Sequence, residues 1–172
     1  KLSAHVVLDD ATAGLIDTDE ARELIEAINE QLGSETMQFY PGTGHRHVMV
    51  WMKGKPRAVC VDPQSVRGRL IGDALPTGDG ANILRELMEA SHLILRDHPV
   101  NAERLASGKN PANCIWLWGE GRAIPWPSLA ERFQVTGAVV ASSAVHRGAG
   151  LCAGLDAADA AESGDEPSKS ME

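Results

Sequence analysis

Residues 41–47 read Pro-Gly-Thr-Gly-His-Arg-His, the densest grouping of ligand-competent side chains and permissive backbone in the chain. Glycines at 42 and 44 let a ligand approach the main chain closely, and His45 and Arg46 set donors beside that approach. A guanidinium offers a planar, two-pronged face to carboxylate or phosphate, so Arg46 points to an anion site. The same residues equally suit a plain hairpin turn, with the glycines at positive φ and His45 and Arg46 in water. His45 and His47 also form an HxH pair. On a strand the two would share a face and could hold a metal bidentately if a third ligand came near, although one ring packed against a cross-strand neighbour is the more ordinary outcome.

A second grouping lies in Arg96–Asn113, where Arg96, His98, Asn101, Arg104, Lys109 and Asn113 surround Pro99 and Pro111. That density of donors suits an anion. The alternative is structural, with Arg96 and Asp97 finishing one helix and Asn101 capping the next. Arg67 and Arg69 could clamp a phosphate or simply face solvent. Trp116 and Trp118 alternate on an apolar run, which favours packing over a stacking platform, and Trp126 follows between two prolines. His146 and Arg147 enter a glycine-rich stretch without a phosphate-loop or dinucleotide fingerprint, so its glycines read as close helix packing. Ser142 and Ser143 are not framed as GxSxG, which argues against a hydrolase triad.

These residues need elements to hold them. Val6, Val7 and Leu8 read as a strand. Asp17 and Glu20 resemble a capping box before Ala21, Leu24, Ile25, Ile28 and Leu32, whose spacing predicts a helix over 18–32. Strand-like runs at 36–40 and 47–52 flank the glycine turn as a hairpin, and 57–61 is another short strand. The breaker-rich segment through Pro63, Gly72, Pro76 and Gly80 reads as a loop. A second helical stripe covers 81–96, and a short helix follows over 101–106. Cys114–Trp118 and Gly137–Ala141 read as buried strands, with a helix over 143–155 completing a pattern typical of a parallel α/β sheet. The expected organisation is therefore an α+β module over 1–108, a hinge at 109–113, a strand-strand-helix piece over 114–161, and a disordered tail over 162–172.

The 172 residues are 43% hydrophobic and 23% charged, a globular composition, and no apolar run reaches the length of a membrane-spanning helix. Sixteen Lys and Arg against 24 Asp and Glu give a formal net charge of -8. General attraction to nucleic acid or anionic lipid is excluded by that sign, so any anion is bound locally. Cys60, Cys114 and Cys152 are too few and too scattered for a disulfide framework or zinc knuckle, which fits a reducing cytoplasm. Strands left bare at the chain's edges could be shielded by pairing between copies.

PGTGHRHVMV, LRDHPVN, SGKNPANCIWLWGEG and VTGAVVASSAVHRGAGLCAGLD stand in the order and spacing of the archaeal-type, cofactor-independent phosphoglycerate mutases, which the chain resembles over most of residues 1–155. The resemblance implies membership of the alkaline phosphatase superfamily. Its parent enzymes have an α/β core with two divalent metals and a phosphorylatable Ser or Thr, plus an inserted domain that closes on a phosphorylated small molecule. By that likeness 1–108 is the α+β insert and 114–155 a fragment of the α/β core. His45 and Arg46 would face the substrate, and Asp97, His98, Asn101, Lys109 and Asn113 would lie near the cleft or hinge. Catalytic groups and metal ligands are expected outside this stretch, leaving it inactive and metal-free by itself. The chain departs from the family pattern at His5, where members carry Asn, and at Gln64, where they carry His after Asp-Pro. A divergent phosphotransferase, or a non-catalytic module binding a small anion or a protein, are the competing readings.

Overall fold

The computed structural model describes residues 5–55 and 57–158. It has a mixed α/β fold in two compact units, Lys1–Arg122 and Ala123–Glu172. The expected tail at 162–172 lies outside the described residues.

In the first unit, the helix over Thr18–Leu32 (α1) starts where the stripe begins. Asp17 caps it, its carboxylate accepting from the N–H groups of Asp19 and Glu20 at 2.9 Å each. The capping box is half made, because the Glu20 side chain turns away to Arg104. Strands Val7–Leu8 (β1), Met37–Tyr40 (β2) and Val48–Trp51 (β3) follow the expected runs, and a further strand spans Arg57–Val59 (β4). β2 and β3 form an antiparallel hairpin in which Met37 pairs Trp51 and Phe39 pairs Met49. That face packs on α1, whose Leu24, Ile25 and Ile28 join Met37 and Phe39 in the main core. The helix Ala81–Arg96 (α2) lies along α1, with Met88 and Ile28 fully enclosed. Enclosing each such side chain stabilises the fold by about 1.5–3 kcal/mol.

Three expectations change on inspection of the fold. The breaker-rich segment is not a featureless loop: it supplies Arg69–Leu70 (β5), pairing β1, and Thr77–Asp79 (β6), pairing β4, between two 3-10 turns. Its glycines and prolines punctuate very short strands. The third helix begins at Pro99 rather than 101, spanning Pro99–Ala106 (α3), because a proline at the first helical position loses no hydrogen bond. Cys114–Trp118 is not a strand. Its polar groups go sideways instead: Ile115 N–H donates to Ser91 Oγ at 3.1 Å, and the Trp116 indole N–H donates to the Val61 carbonyl at 2.8 Å. Continuous apolarity signalled burial, but burial against side chains of α2 and a small cluster around Val66 and Ile71 rather than in a ladder. That run therefore packs with the first unit, which extends to Arg122.

The second unit holds a short helix, Leu129–Phe133 (α4), then Ala138–Val140 (β7), Ala144–Cys152 (α5) and Asp156–Ala158 (β8). β7 and β8 are parallel, with α5 as their crossover. Gly150 serves close helix packing, since a Cβ there would meet Val139 Cγ1 at 2.4 Å; Gly148 faces open space.

Candidate functional site

The turn between β2 and β3 is tied down by its own backbone. Arg46 N–H donates to the Thr43 carbonyl at 3.1 Å, and Gly42 N–H donates to His47 Nδ1 at 3.1 Å. A Cβ at Gly42 would lie 2.2 Å from the Arg46 carbonyl oxygen, so only glycine lets the two sides of the turn meet there. Gly44 sits at φ +56°, and its N–H donates to Thr18 Oγ1 at 3.1 Å. His47 works as an acceptor, and burial, followed by the neighbouring His45, lowers its pKa below the ordinary 6.5 and favours the neutral ring. His45 and Arg46 fall in the turn rather than on a strand, so the HxH spacing does not put two imidazoles on one strand face. Arg46 is exposed, with its fork open to solvent.

Thr18 opens α1, and the other end of the candidate set arrives at that same turn of helix. Lys109 Nζ lies 3.5 Å from Glu20 Oε1. Glu20 also pairs with Arg104, whose side chain is only 2% exposed. Every arm of that guanidinium is used: Nε donates to the Asn110 carbonyl at 2.8 Å, Nη1 to Glu20, and Nη2 to the Ala13 carbonyl. Asp17 is held below the usual carboxylate range, first by the Glu20 N–H, then by the Asp19 N–H and the charges of Lys109 and Arg104. Thus the glycine turn and Lys109, distant in sequence, are each tied to the first turn of α1.

The remaining members of the second grouping stand elsewhere. Asp97 is exposed at the end of α2 and grips the adjacent Arg96 guanidinium, Nη2 to Oδ2 at 2.8 Å, which lowers its pKa. His98 caps α3, its Nδ1 accepting from Val100 N–H at 3.3 Å. Asn101 is 1% exposed and acts as a latch. Its amide donates to the carbonyls of Leu95 at 2.7 Å and Ala112 at 2.9 Å, while its Oδ1 accepts from Ala112 N–H at 2.8 Å. This explains the paired spacing of DHPVN and GKNPAN in structural terms. Asn113 offers its carbonyl to His92 Nδ1 at 3.0 Å, with its own side chain exposed.

Among the described residues, no three His, Cys, Asp or Glu side chains converge as a metal set. The donors of the turn do not fit one either, because His47 Nδ1 is already taken by the Gly42 N–H. Cys60 and Cys114 are both raised to about 11 by burial, Cys60 also by Glu120, which removes thiolate chemistry at neutral pH. Arg67 donates to the Asp9 carbonyl at 3.2 Å. Trp116 packs, whereas Trp118 and Trp126 are 43% and 60% exposed. His146 and Arg147 lie within α5.

Sequence reasoning missed Thr18, Glu20 and Ala13 as parts of this arrangement. Glu20 had a visible signal, an acidic residue at a helix start, but that signal suggested a local cap. Its true partner, Arg104, is 84 residues away.

The sequence profile of the 2,3-bisphosphoglycerate-independent phosphoglycerate mutases matches residues 2–101, more than half of the chain. A probable 2,3-bisphosphoglycerate-independent phosphoglycerate mutase of Geobacter sulfurreducens is 50% identical over 151 residues, 88% of this chain and 38% of that protein. The Methanosarcina barkeri enzyme is 37% identical over 153 residues, again covering 88% of this chain and 38% of the relative. A cofactor-independent phosphoglycerate mutase from Thermoplasma acidophilum superposes with a TM-score of 0.53 at 26% identity, covering 80% of this chain and 39% of that one. A Pyrococcus horikoshii protein shares the fold, with a TM-score of 0.61 at 21% identity over 92% of this chain and 39% of its own. The chain spans well under half the length of these relatives, and it belongs to the 2,3-bisphosphoglycerate-independent phosphoglycerate mutase family.

Proposed function

We propose that this chain is the substrate-gripping portion of a phosphoglycerate mutase, an inserted domain with an adjoining piece of an alkaline phosphatase-like α/β core. The parent enzyme interconverts 3- and 2-phosphoglycerate through a phosphoenzyme. Its bond-breaking groups belong to parts of the protein outside residues 1–172, and this portion by itself has no mutase activity. The observation that supports the reading is that the glycine turn, through Gly44 and Thr18, and Lys109, through Glu20, are both tied to the first turn of α1.

In this reading Arg46 takes a phosphate or carboxylate through two parallel N–H bonds, and Lys109 adds a movable point charge. His45 donates from the turn. Asp97, His98, Asn101 and Asn113 act away from the turn, Asn101 and His98 by holding the chain that leads to and from Lys109. The Glu20 carboxylate holds Lys109 at the start of α1, and substrate competes for it. Closing such a unit over substrate would exclude water and so protect the phosphoenzyme from hydrolysis.

The test is an amide-shift titration of the chain with 3-phosphoglycerate. Shifts centred on Gly42–Arg46 and Lys109 are expected, with weak affinity, on the order of millimolar, since a part-site lacks the closure and remaining contacts of the whole. Arg46→Ala should abolish them. Shifts scattered over the surface, or centred on Arg67 and Arg69, would overturn the reading.

A further inference from the structure

The glycine turn is supported from one side by a segment with unusual backbone. Ala13, Gly14 and Leu15 are successive left-handed residues, at φ +49°, +68° and +54°. For Ala13 and Leu15 this conformation costs roughly 1–2 kcal/mol each, so neighbouring bonds must hold it. They are present. Asp10 accepts from Thr12 N–H at 2.8 Å and from Gly14 N–H at 2.6 Å, Leu15 N–H donates to Thr12 Oγ1 at 3.0 Å, and the buried Arg104 takes the Ala13 carbonyl. Ile16, just beyond, is in the main core. The result is a fixed lead into α1, and Glu20, one turn in, is pinned by the same guanidinium.

Thr18 stands between these anchors. Its hydroxyl accepts the Gly44 N–H at 3.1 Å, and a Cβ at Gly44 would come within 3.4 Å of the Ile16 carbonyl oxygen. Both links fall on Gly44, the residue directly before His45 and Arg46. The other polar bonds of the turn, Gly42 to His47 and Arg46 to Thr43, are internal to it and cannot set its place relative to the rest of the molecule. We infer that Thr18 is a positioning residue: its hydroxyl, held in place by Arg104 through Ala13 and Glu20, fixes the Gly44 amide and so determines where His45 and Arg46 are presented.

This rests on the anion-binding reading of the turn, and Thr18 itself touches no substrate. The experiment compares the full chain with Thr18→Val, which keeps size and branching but removes the acceptor, and with Thr18→Ser, which restores it. Hydrogen exchange at Gly44 is measured without ligand, then amide shifts with 3-phosphoglycerate. Thr18→Val should speed Gly44 exchange and weaken binding by about threefold to tenfold, with an unchanged spectrum for α2 and α3, and Thr18→Ser should recover both. A purely structural role would lower the melting temperature but leave affinity in the folded chain unmoved. Arg104→Lys offers a second route: losing the fork should free the lead into α1 and so loosen Gly44, although the Thr18 side chain itself is unchanged. Unchanged Gly44 exchange and affinity in Thr18→Val would overturn the positioning role while leaving the binding site standing. A wild-type chain whose residues 42–46 ignore the ligand would instead sink the binding reading, and the positioning role with it.

Discussion

Residues up to Arg122 and residues from Ala123 onward have similar ingredients, short strands and amphipathic helices, yet they bury them very differently. The first unit encloses Leu24, Ile25, Ile28, Phe39, Met88 and Leu95, and it even encloses Arg104 and Asn101 with all their polar arms matched. Among the described residues of the second unit only Gly150 is buried, while Phe133, Val140, Val145 and Leu151 are 49–67% exposed. Three antiparallel strand pairs, one of them a hairpin, and two packed helices close a core from within one stretch of chain. One parallel strand pair with a single crossover helix cannot, because a parallel sheet needs both faces covered.

The largest effect expected of this contrast is its separability. Residues 1–122 alone should unfold in a single cooperative urea transition, and residues 123–172 alone should show none. A first unit that fails to fold would break the comparison. Next, Arg104→Ala should destabilise the first unit by about 3–5 kcal/mol in denaturant unfolding, because it leaves the Glu20 carboxylate without its buried partner. Asn101→Ala should cost about 3 kcal/mol, since two carbonyls and one N–H lose their bonds inside the unit. Gly150→Ala sharpens the contrast from the other side. Its Cβ would press on Val139, costing about 1–3 kcal/mol, and should disturb amide shifts across β7 and α5 while first-unit resonances stay fixed.

The smallest effect concerns pH. His47 has a folded pKa below 6.5, so between that folded value and 6.5 the unfolded chain binds a proton that the folded chain refuses. Its contribution to stability is therefore full above about 6.5 and fades as pH falls through the folded value. His47→Gln should flatten that slope in the first unit's unfolding midpoint, and an unchanged slope would show that the His47 ring does not couple to folding.

Local signals in the chain were reliable where a periodic pattern met a cap or a breaker. The spacing of Ala21, Leu24, Ile25 and Ile28 after Asp17 marked α1 from its first residue, and Ile83 through Leu95 did the same for α2. The Pro-Gly-Thr-Gly turn announced its hairpin. Reading failed where residue type spoke of burial without naming a partner: Cys114–Trp118 is apolar because it lies against Ser91, Met88 and Val61, none of which its own sequence could identify. The breaker-rich run hid β5 and β6 because strands of two or three residues carry no periodicity.

The same division holds for the candidate site. From sequence alone came the ordered motifs, the anion-competent pair His45 and Arg46, and the family to which they point. Composition also set the sign of the charge, which turned attention from polyanions to a local site. Tertiary structure decided which polar residues are tools and which are fasteners. Arg104 and Asn101 looked as available as Arg46 in the linear chain, but folding spends their hydrogen bonds on Ala13, Glu20, Asn110, Leu95 and Ala112. Whether a donor is free depends on which distant backbone groups folding brings within about 3 Å of it, and no local pattern encodes that distance.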